Sequence, residues 1–501
     1  MSAFADPDRR PCLIGTARRT WRAEDESAEP LDMWHQLARA AADDVGIDRD
    51  VLAEVDDLGL VHCQSWYYDD AIGRLVERLA LGAGHRNESL MAGTSPQRLI
   101  DAAATRMIAG QTNVALVVGG EALATRRRYS LSGERPPWSH PDPHPPDLPI
   151  DLDQWYLPTE LAHGVLPAWL TFALLEQARW ASRGALDDDR RRLGTLMSDL
   201  SAVAEANPDA WFRTRHDADD LLSPSPHNRM VASPYTKLMT AFMDVDMAAA
   251  NLLVTRQIAD SWGVPEDRRV YLRGWGFARD SVHLAARSDL TTSPAMRAAS
   301  AEAMQMAGIH TDEIDLFDLY SCFGSAVQFA QDALDLSNDD RPVTVTGGLP
   351  YHGGPSSNYM SHSISHMVDH LRDHPRHVGM VTGVGMHMTK HVAALWSAEQ
   401  GPIRLTPAHH DDQRWNDEPL TKDVEISDSA EGPVSVVAAT VVHDRDGSGD
   451  HAIAICELPD GRRCYARDDS EQAITAVAEG TWLTEKAHIT GRVDGTNALH
   501  W

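Results

Sequence analysis

The chain has 501 residues, long enough for several structural units around a large buried core. Its 74 acidic against 45 basic residues give a net charge of -29, which argues against a nucleic-acid partner, since phosphate recognition needs clustered Lys and Arg. Five scattered cysteines without a CxxC pair exclude a disulfide framework, and no apolar run reaches membrane-spanning length.

In chain order, Cys12–Gly15 opens as a buried strand, and Met33–Val45 has helical spacing through Trp34, Leu37, Ala38 and Ala41. A strand at Leu58–His62, a helix at Ile72–Leu81 and the apolar Val114–Val118 complete a βαβαβ pattern, which predicts a parallel sheet covered on both faces. The proline-rich stretch between Pro136 and Pro149 reads as extended loop. Arg126-Arg127-Arg128 reads as a solvated loop cluster or, alternatively, as a phosphate-attracting one. Two amphipathic helices, Leu166–Arg183 and Asp187–Ala206, form an inserted helical subdomain.

The second half begins at Val270–Phe277, with Ser293-Pro294 as a helix start and a short strand Leu316–Leu319 running into Tyr320-Ser321-Cys322-Phe323. Beyond an acidic connector at 409–431, the runs Val434–Val442, Ala452–Leu458, Arg463–Ala466 and Ala487–Val493 read as a small β-barrel. The predicted units are 1–125 with 243–268, an insertion at 126–242, a second half at 269–400, a linker at 401–431 and a β module at 432–501. The linker composition predicts that few contacts cross it.

Two stretches repeat one supersecondary unit. Gly93-Thr94-Ser95-Pro96 leads into a helical run and a strand ending in Gly119-Gly120-Glu121. Gly353-Gly354-Pro355-Ser356-Ser357-Asn358 leads into a second helical run and a strand ending in Thr382-Gly383-Val384-Gly385. Such a pair, its glycine turns meeting, is a frame for holding a thioester between helix N-termini.

The segments Ile108-Ala109-Gly110, Val114–Glu121, Leu319–Phe323 and Gly347–Pro355, with Asn207-Pro208 and Asp246–Ala250, resemble in order and spacing those of the thiolase superfamily. They are similar to the sterol-carrier-protein branch in particular. The C-terminal module fits the actinobacterial thiolase-like proteins of type 1, which carry such an extension. The resemblance covers roughly residues 10–400 and implies a five-layered αβαβα sandwich of two similar halves with a helical loop insertion, a fold for acyl-CoA chemistry in lipid or sterol metabolism.

Carried over residue by residue, the family's nucleophilic cysteine falls on Gly93 and its GHP histidine on Gly354. Its second active cysteine falls around Val381-Thr382, and its HDCF histidine becomes Tyr320 beside Cys322. Glycine cannot carry an acyl group. Candidate catalytic residues are therefore Tyr320, Cys322, His352 and Ser95. Tyr320 is the sharpest, by analogy with thiolase-like aldolases of steroid side-chain degradation that lack the cysteine and rely on tyrosines. Against these stand plain readings: Thr94 and Ser95 as helix caps, Cys322 and Tyr320 as packing residues, His352 as a loop histidine. Gly93, Thr94, Gly354, Asn358, Tyr359, Thr382 and Gly383 are the expected substrate contacts, Tyr359 alternatively a packing residue. Arg229 and Lys237 are candidates for the CoA phosphates by position in the insertion. His362 and His366 share a helix face but lack a third ligand, so no metal is expected.

No cofactor is expected beyond a CoA ester as substrate or ligand. Three functions compete: a carbon–carbon bond enzyme or acyltransferase working without a covalent cysteine, a non-catalytic CoA-ester binder, and a conventional acetyl-CoA acetyltransferase. The absence of a signal sequence and the cysteine usage point to the cytoplasm, with no membrane partner. The extra module leans the assembly toward a monomer rather than the family's usual dimers and tetramers.

Overall fold

A computed structural model describes residues 3–22, 29–147, 150, 152–336, 339–405, 419–484, 486–493 and 495–501. Part of the predicted linker thus lies outside the described residues. Nine strands make one mixed sheet: β1 (Pro11–Thr20), β2 (Asp57–Leu60), β3 (His85–Glu88), β4 (Val114–Ala122), β5 (Asp246–Thr255), β6 (Val270–Arg279), β7 (Leu316–Asp318), β8 (Val378–Gly385) and β9 (Lys390–Ser397). Their order is β7-β8-β9-β6-β1-β5-β4-β2-β3.

The duplication is written into that order. In the first half β1 and β5 are antiparallel, β5 and β4 antiparallel, and β4 and β2 parallel. In the second half β6 and β9, β9 and β8, and β8 and β7 repeat the same directions. The sheet is therefore not purely parallel, as the βαβαβ pattern had predicted. The last strand of each half returns to insert beside the first, antiparallel to both its neighbours.

Two helices, α1 (Ser95–Ile108) and α4 (Tyr359–Asp373), lie between the halves and pack on each other. Both carry buried residues well beyond one face, as central helices must. Helices Pro30–Asp44 and Pro294–Ala307 cover the outer faces, and together these layers make an αβαβα sandwich. The insertion contributes α2 (Ala168–Arg183) and α3 (Leu186–Ala206). Arg126–Arg128 lie on a helix, Leu123–Leu131, rather than in a loop; the Arg127 guanidinium is paired with Asp244. No helix among the described residues is long and apolar enough to cross a membrane.

The C-terminal strands β10 (Glu431–His443), β11 (Gly449–Glu457), β12 (Arg463–Asp468), β13 (Ala487–Val493) and β14 (Thr496–His500) close into a barrel in the order β10-β11-β12-β14-β13-β10. β12 and β14 run parallel, and helix Glu471–Glu479 joins β12 to β13. This is the strand order of the OB-fold.

The barrel is fastened to the rest of the chain, contrary to the expectation of few crossing contacts. A hairpin from the insertion, Met230–Ala232 with Tyr235–Thr236, extends its sheet by pairing Ala232 with Val442. The Tyr465 hydroxyl donates to Glu160 at 3.0 Å and accepts the Ala285 N–H at 3.1 Å. The Asn497 N–H donates to His163 Nε2 at 3.0 Å. Ala438, Ile453, Ile455 and Tyr465 join the main apolar core.

Candidate functional site

The two repeated units meet reciprocally. A Cβ placed on Gly119, at the end of β4, would lie 2.6 Å from Asn358 Oδ1 in the turn before α4. A Cβ placed on Gly385, at the end of β8, would lie 3.2 Å from Ala92 and 3.4 Å from Thr94 Oγ1 in the turn before α1. Each glycine lets the other half's turn approach the strand end. The turns are also tied directly, the Ala92 N–H donating to Ser357 Oγ at 3.1 Å. Helix N-termini α1 and α4 thus converge with two glycine turns, a place where backbone N–H groups gather.

Tyr320 sits at this junction. A Cβ on Gly93 would stand 2.6 Å from Tyr320 Cζ, and closer still to its hydroxyl and to the Val384 carbonyl oxygen. The phenol fills the space in which a side chain at 93 would begin. Thr382 Oγ1 accepts the Tyr320 N–H at 3.0 Å, so the position carried over from the family's second cysteine holds Tyr320 in place. Burial, and then Cys322, push the Tyr320 phenol far above its ordinary value. It stays protonated and can donate a hydrogen bond. Cys322 is only half-buried as a residue, but burial pushes its thiol up as well, so it is no ready thiolate. Gly93 is itself partly exposed, while Tyr320 is buried.

Behind Tyr320 the ring of Tyr359 stands edge-on at 5.5 Å. Tyr359 is fully buried and does not face an approaching ligand. Its hydroxyl lies 2.6 Å from Thr346 Oγ1 and donates to Asp318 at 3.2 Å. Asp318 also accepts Ser363 Oγ at 2.8 Å and the Val345 N–H at 2.9 Å. Burial still raises its pKa. This network fixes the loop around Thr346 against α4, which places Tyr359 on the packing side of its two readings.

Asn358 Oδ1 accepts from Ser361 Oγ at 2.7 Å, while its buried Nδ2 has no partner among the described residues. It is an unused donor beside Gly119. At Gly354 an added Cβ would be 3.0 Å from Leu349 Cδ2, so an apolar side chain covers the place carried over from the GHP histidine. Its neighbour Gly353 has φ +99 and is hemmed by Met247, Val245 and Trp211, so only glycine suits it. At Gly383 a Cβ would run into Met360 Sδ.

Three candidates are placed differently from expectation. The Ser95 hydroxyl donates to the Leu90 carbonyl at 2.7 Å; it is a loop staple, and neither it nor Thr94 caps α1. His352 is fully buried with its ring among Tyr359, His362 and His366, at 5.9, 5.3 and 5.5 Å. Burial pushes it down to about 4, so it is neutral and one ring behind Tyr320 rather than in the histidine's place. Arg229 donates to the carbonyls of Met230 at 2.8 Å and Asp444 at 3.3 Å, gripping a barrel turn instead of waiting for phosphate. Lys237 is exposed.

Residues 276–354, which span Tyr320, Gly353 and Gly354, match the family described as "Thiolase C-terminal domain-like". The fold is that of a thiolase. The chain is similar over 99% of both lengths to a monomeric SCP2-thiolase like protein type 1 from Mycobacterium smegmatis, at 28% identity and a TM-score of 0.83. Human mitochondrial 3-ketoacyl-CoA thiolase in complex with CoA shares the fold over 78% of this chain and 99% of its own, at 14% identity and a TM-score of 0.54. A solved Ltp2-ChsH2(DUF35) aldolase shares it over 79% of this chain and 99% of its own, at 14% identity and a TM-score of 0.59. The thiolase resemblance read from the motifs over roughly residues 10–400 therefore holds for the fold, and the likeness to the type 1 protein extends over the barrel as well.

Proposed function

We propose that the protein binds an acyl-CoA thioester without covalent attachment, and that Tyr320 serves as its hydrogen-bond donor in making or breaking a carbon–carbon bond beside the thioester. The reading rests on one observation: the protonated Tyr320 hydroxyl occupies the place where the side chain of residue 93 would begin. A nucleophile there would form an acyl-enzyme; a phenol held neutral there is a poor nucleophile but a ready hydrogen-bond donor. Carbon–carbon chemistry at this position develops negative charge on an enolate oxygen, and a fixed donor acts chiefly in that transition state. The thioester ligand is carried by the thiolase fold, one of whose solved members holds CoA and another of which is an aldolase. A CoA-ester ligand and five free cysteines suit the cytoplasm, and the M. smegmatis protein supports a monomer.

The test is Tyr320→Phe, which removes one hydroxyl and keeps the ring. Against a panel of acyl-CoA and 3-hydroxyacyl-CoA substrates, turnover should fall about 10²–10³-fold with ligand affinity nearly unchanged, by comparison with loss of one oxyanion donor. Activity retained within about twofold would remove Tyr320 from the chemistry. If the wild type binds an ester but turns none over, binding is the function.

A further inference from the structure

Away from this junction, the end of α4 and the loop after it gather three imidazoles. His370 lies in the last turn of the helix, His374 is the C-cap residue just after Asp373, and His377 lies in the loop that follows. The rings stack, with centroids 4.3 Å apart for His370 and His374, 5.1 Å for His374 and His377, and 5.4 Å for His370 and His377. His370 Nε2 lies 3.1 Å from His377 Nδ1. One nitrogen from each ring falls within 4.8 Å of the other two.

The tautomers suit a cation. His374 Nδ1 must donate to the His370 carbonyl at 3.0 Å, which leaves its Nε2 lone pair free in the neutral ring. His370 and His377 face each other through nitrogens 3.1 Å apart, and a shift of a few tenths of an ångström with loss of the proton between them would let both lone pairs reach one ion at about 2.0–2.1 Å. The carboxylates of Asp373 and Asp315 lie close enough to His370 to favour positive charge there.

We propose that His370, His374 and His377 form a binding site for one divalent d-block cation of the Zn²⁺ type. Imidazole ligands select this class over Mg²⁺ or Ca²⁺, which take oxygen. His374 is exposed, so water completes the coordination. The site ties the end of α4 to Val378, the first residue of β8, whose N–H already donates to Asp315 at 2.8 Å. Its nearest ligand, His370, lies 11 residues along the helix from Tyr359, about 16 Å at 1.5 Å per residue, so the ion braces the fold and takes no part in the thioester chemistry.

Full-length protein stripped with a chelator should bind one equivalent of Co²⁺ at micromolar concentration, seen by its visible absorption, and Zn²⁺ should displace it. The chain has 24 histidines, so variants must locate the site. His374→Gln, at an exposed position, should weaken binding at least ~10-fold while the circular dichroism spectrum stays the same. His310→Gln, exposed elsewhere, should change nothing. His370→Gln and His377→Gln should weaken binding like His374→Gln. Binding only at millimolar metal, or binding unchanged in His374→Gln, would overturn the site.

Discussion

The Tyr320 phenol stands where a side chain on Gly93 would begin, with its Cζ 2.6 Å from where a Cβ on that glycine would lie. Residue 93 precedes α1 in the first half, and Tyr320 follows β7 in the second, so the contact joins the two copies of the duplicated unit. The same junction is closed from the other side by Gly119 and Asn358.

That contact makes Gly93→Ala a sharp probe. The added methyl meets both the phenol and the Val384 carbonyl oxygen, which is backbone and cannot step aside. The variant should lose about 1–3 kcal/mol in urea denaturation, the usual cost of overpacking. Adding Tyr320→Ala should restore only part of it, because the carbonyl remains. A neutral Gly93→Ala would mean the phenol is not seated there.

Glu176 gives a pH-dependent test in the insertion. It is buried in α2, accepts the Tyr235 hydroxyl at 2.6 Å, and is pushed by burial up to about 7 from 4.5. The folded state therefore binds this proton more tightly than the unfolded chain. The stabilisation is fully present below 4.5 and is lost as the pH rises through about 7. Glu176→Gln abolishes that dependence. The stability of wild type relative to the variant should be greatest at about pH 4 and smallest at about pH 8, changing by about 1.4 kcal/mol per pKa unit at most. Glu121 and Asp101, each also raised to about 7, act with the same sign and are unaffected by the substitution, so the difference isolates Glu176.

The barrel should prove inseparable. Tyr465→Phe leaves Glu160 short of a donor and the Ala285 N–H without its acceptor, each a buried loss of about 1–3 kcal/mol. Removal of everything after Leu405 also uncovers the apolar face that Ala438, Ile453 and Ile455 cover, so the shortened chain should aggregate. A truncated chain that is soluble and melts cooperatively at the wild-type temperature would show the barrel to be an appendage.

Local signals carried much of this architecture in the sequence. The two glycine turns, the apolar strands behind them and the Ser293 cap, whose hydroxyl accepts the Met296 N–H at 3.0 Å, are all short-range features. What was not legible depends on distant pairs. Nothing near Tyr320 shows that its ring meets Gly93, and nothing in the linker's composition shows that residues 230–236 would join the barrel sheet. His352 lies close in sequence to the missing histidine, yet the loop turns its ring toward His362 and His366. The i and i+4 pair His362 and His366 shares one helix face, while the three imidazoles within ligating distance of one another gather at its end, two of them beyond Asp373.

The central claim, a thioester held without a covalent bond, is tested most directly by mass spectrometry of one sample in two states. After incubation with an acyl-CoA panel, the native spectrum should show the chain carrying one CoA ester. The same sample, denatured, should return to the mass of the unmodified chain. An acyl increment that survives denaturation, or a native spectrum with no ester bound from any member of the panel, would contradict the account.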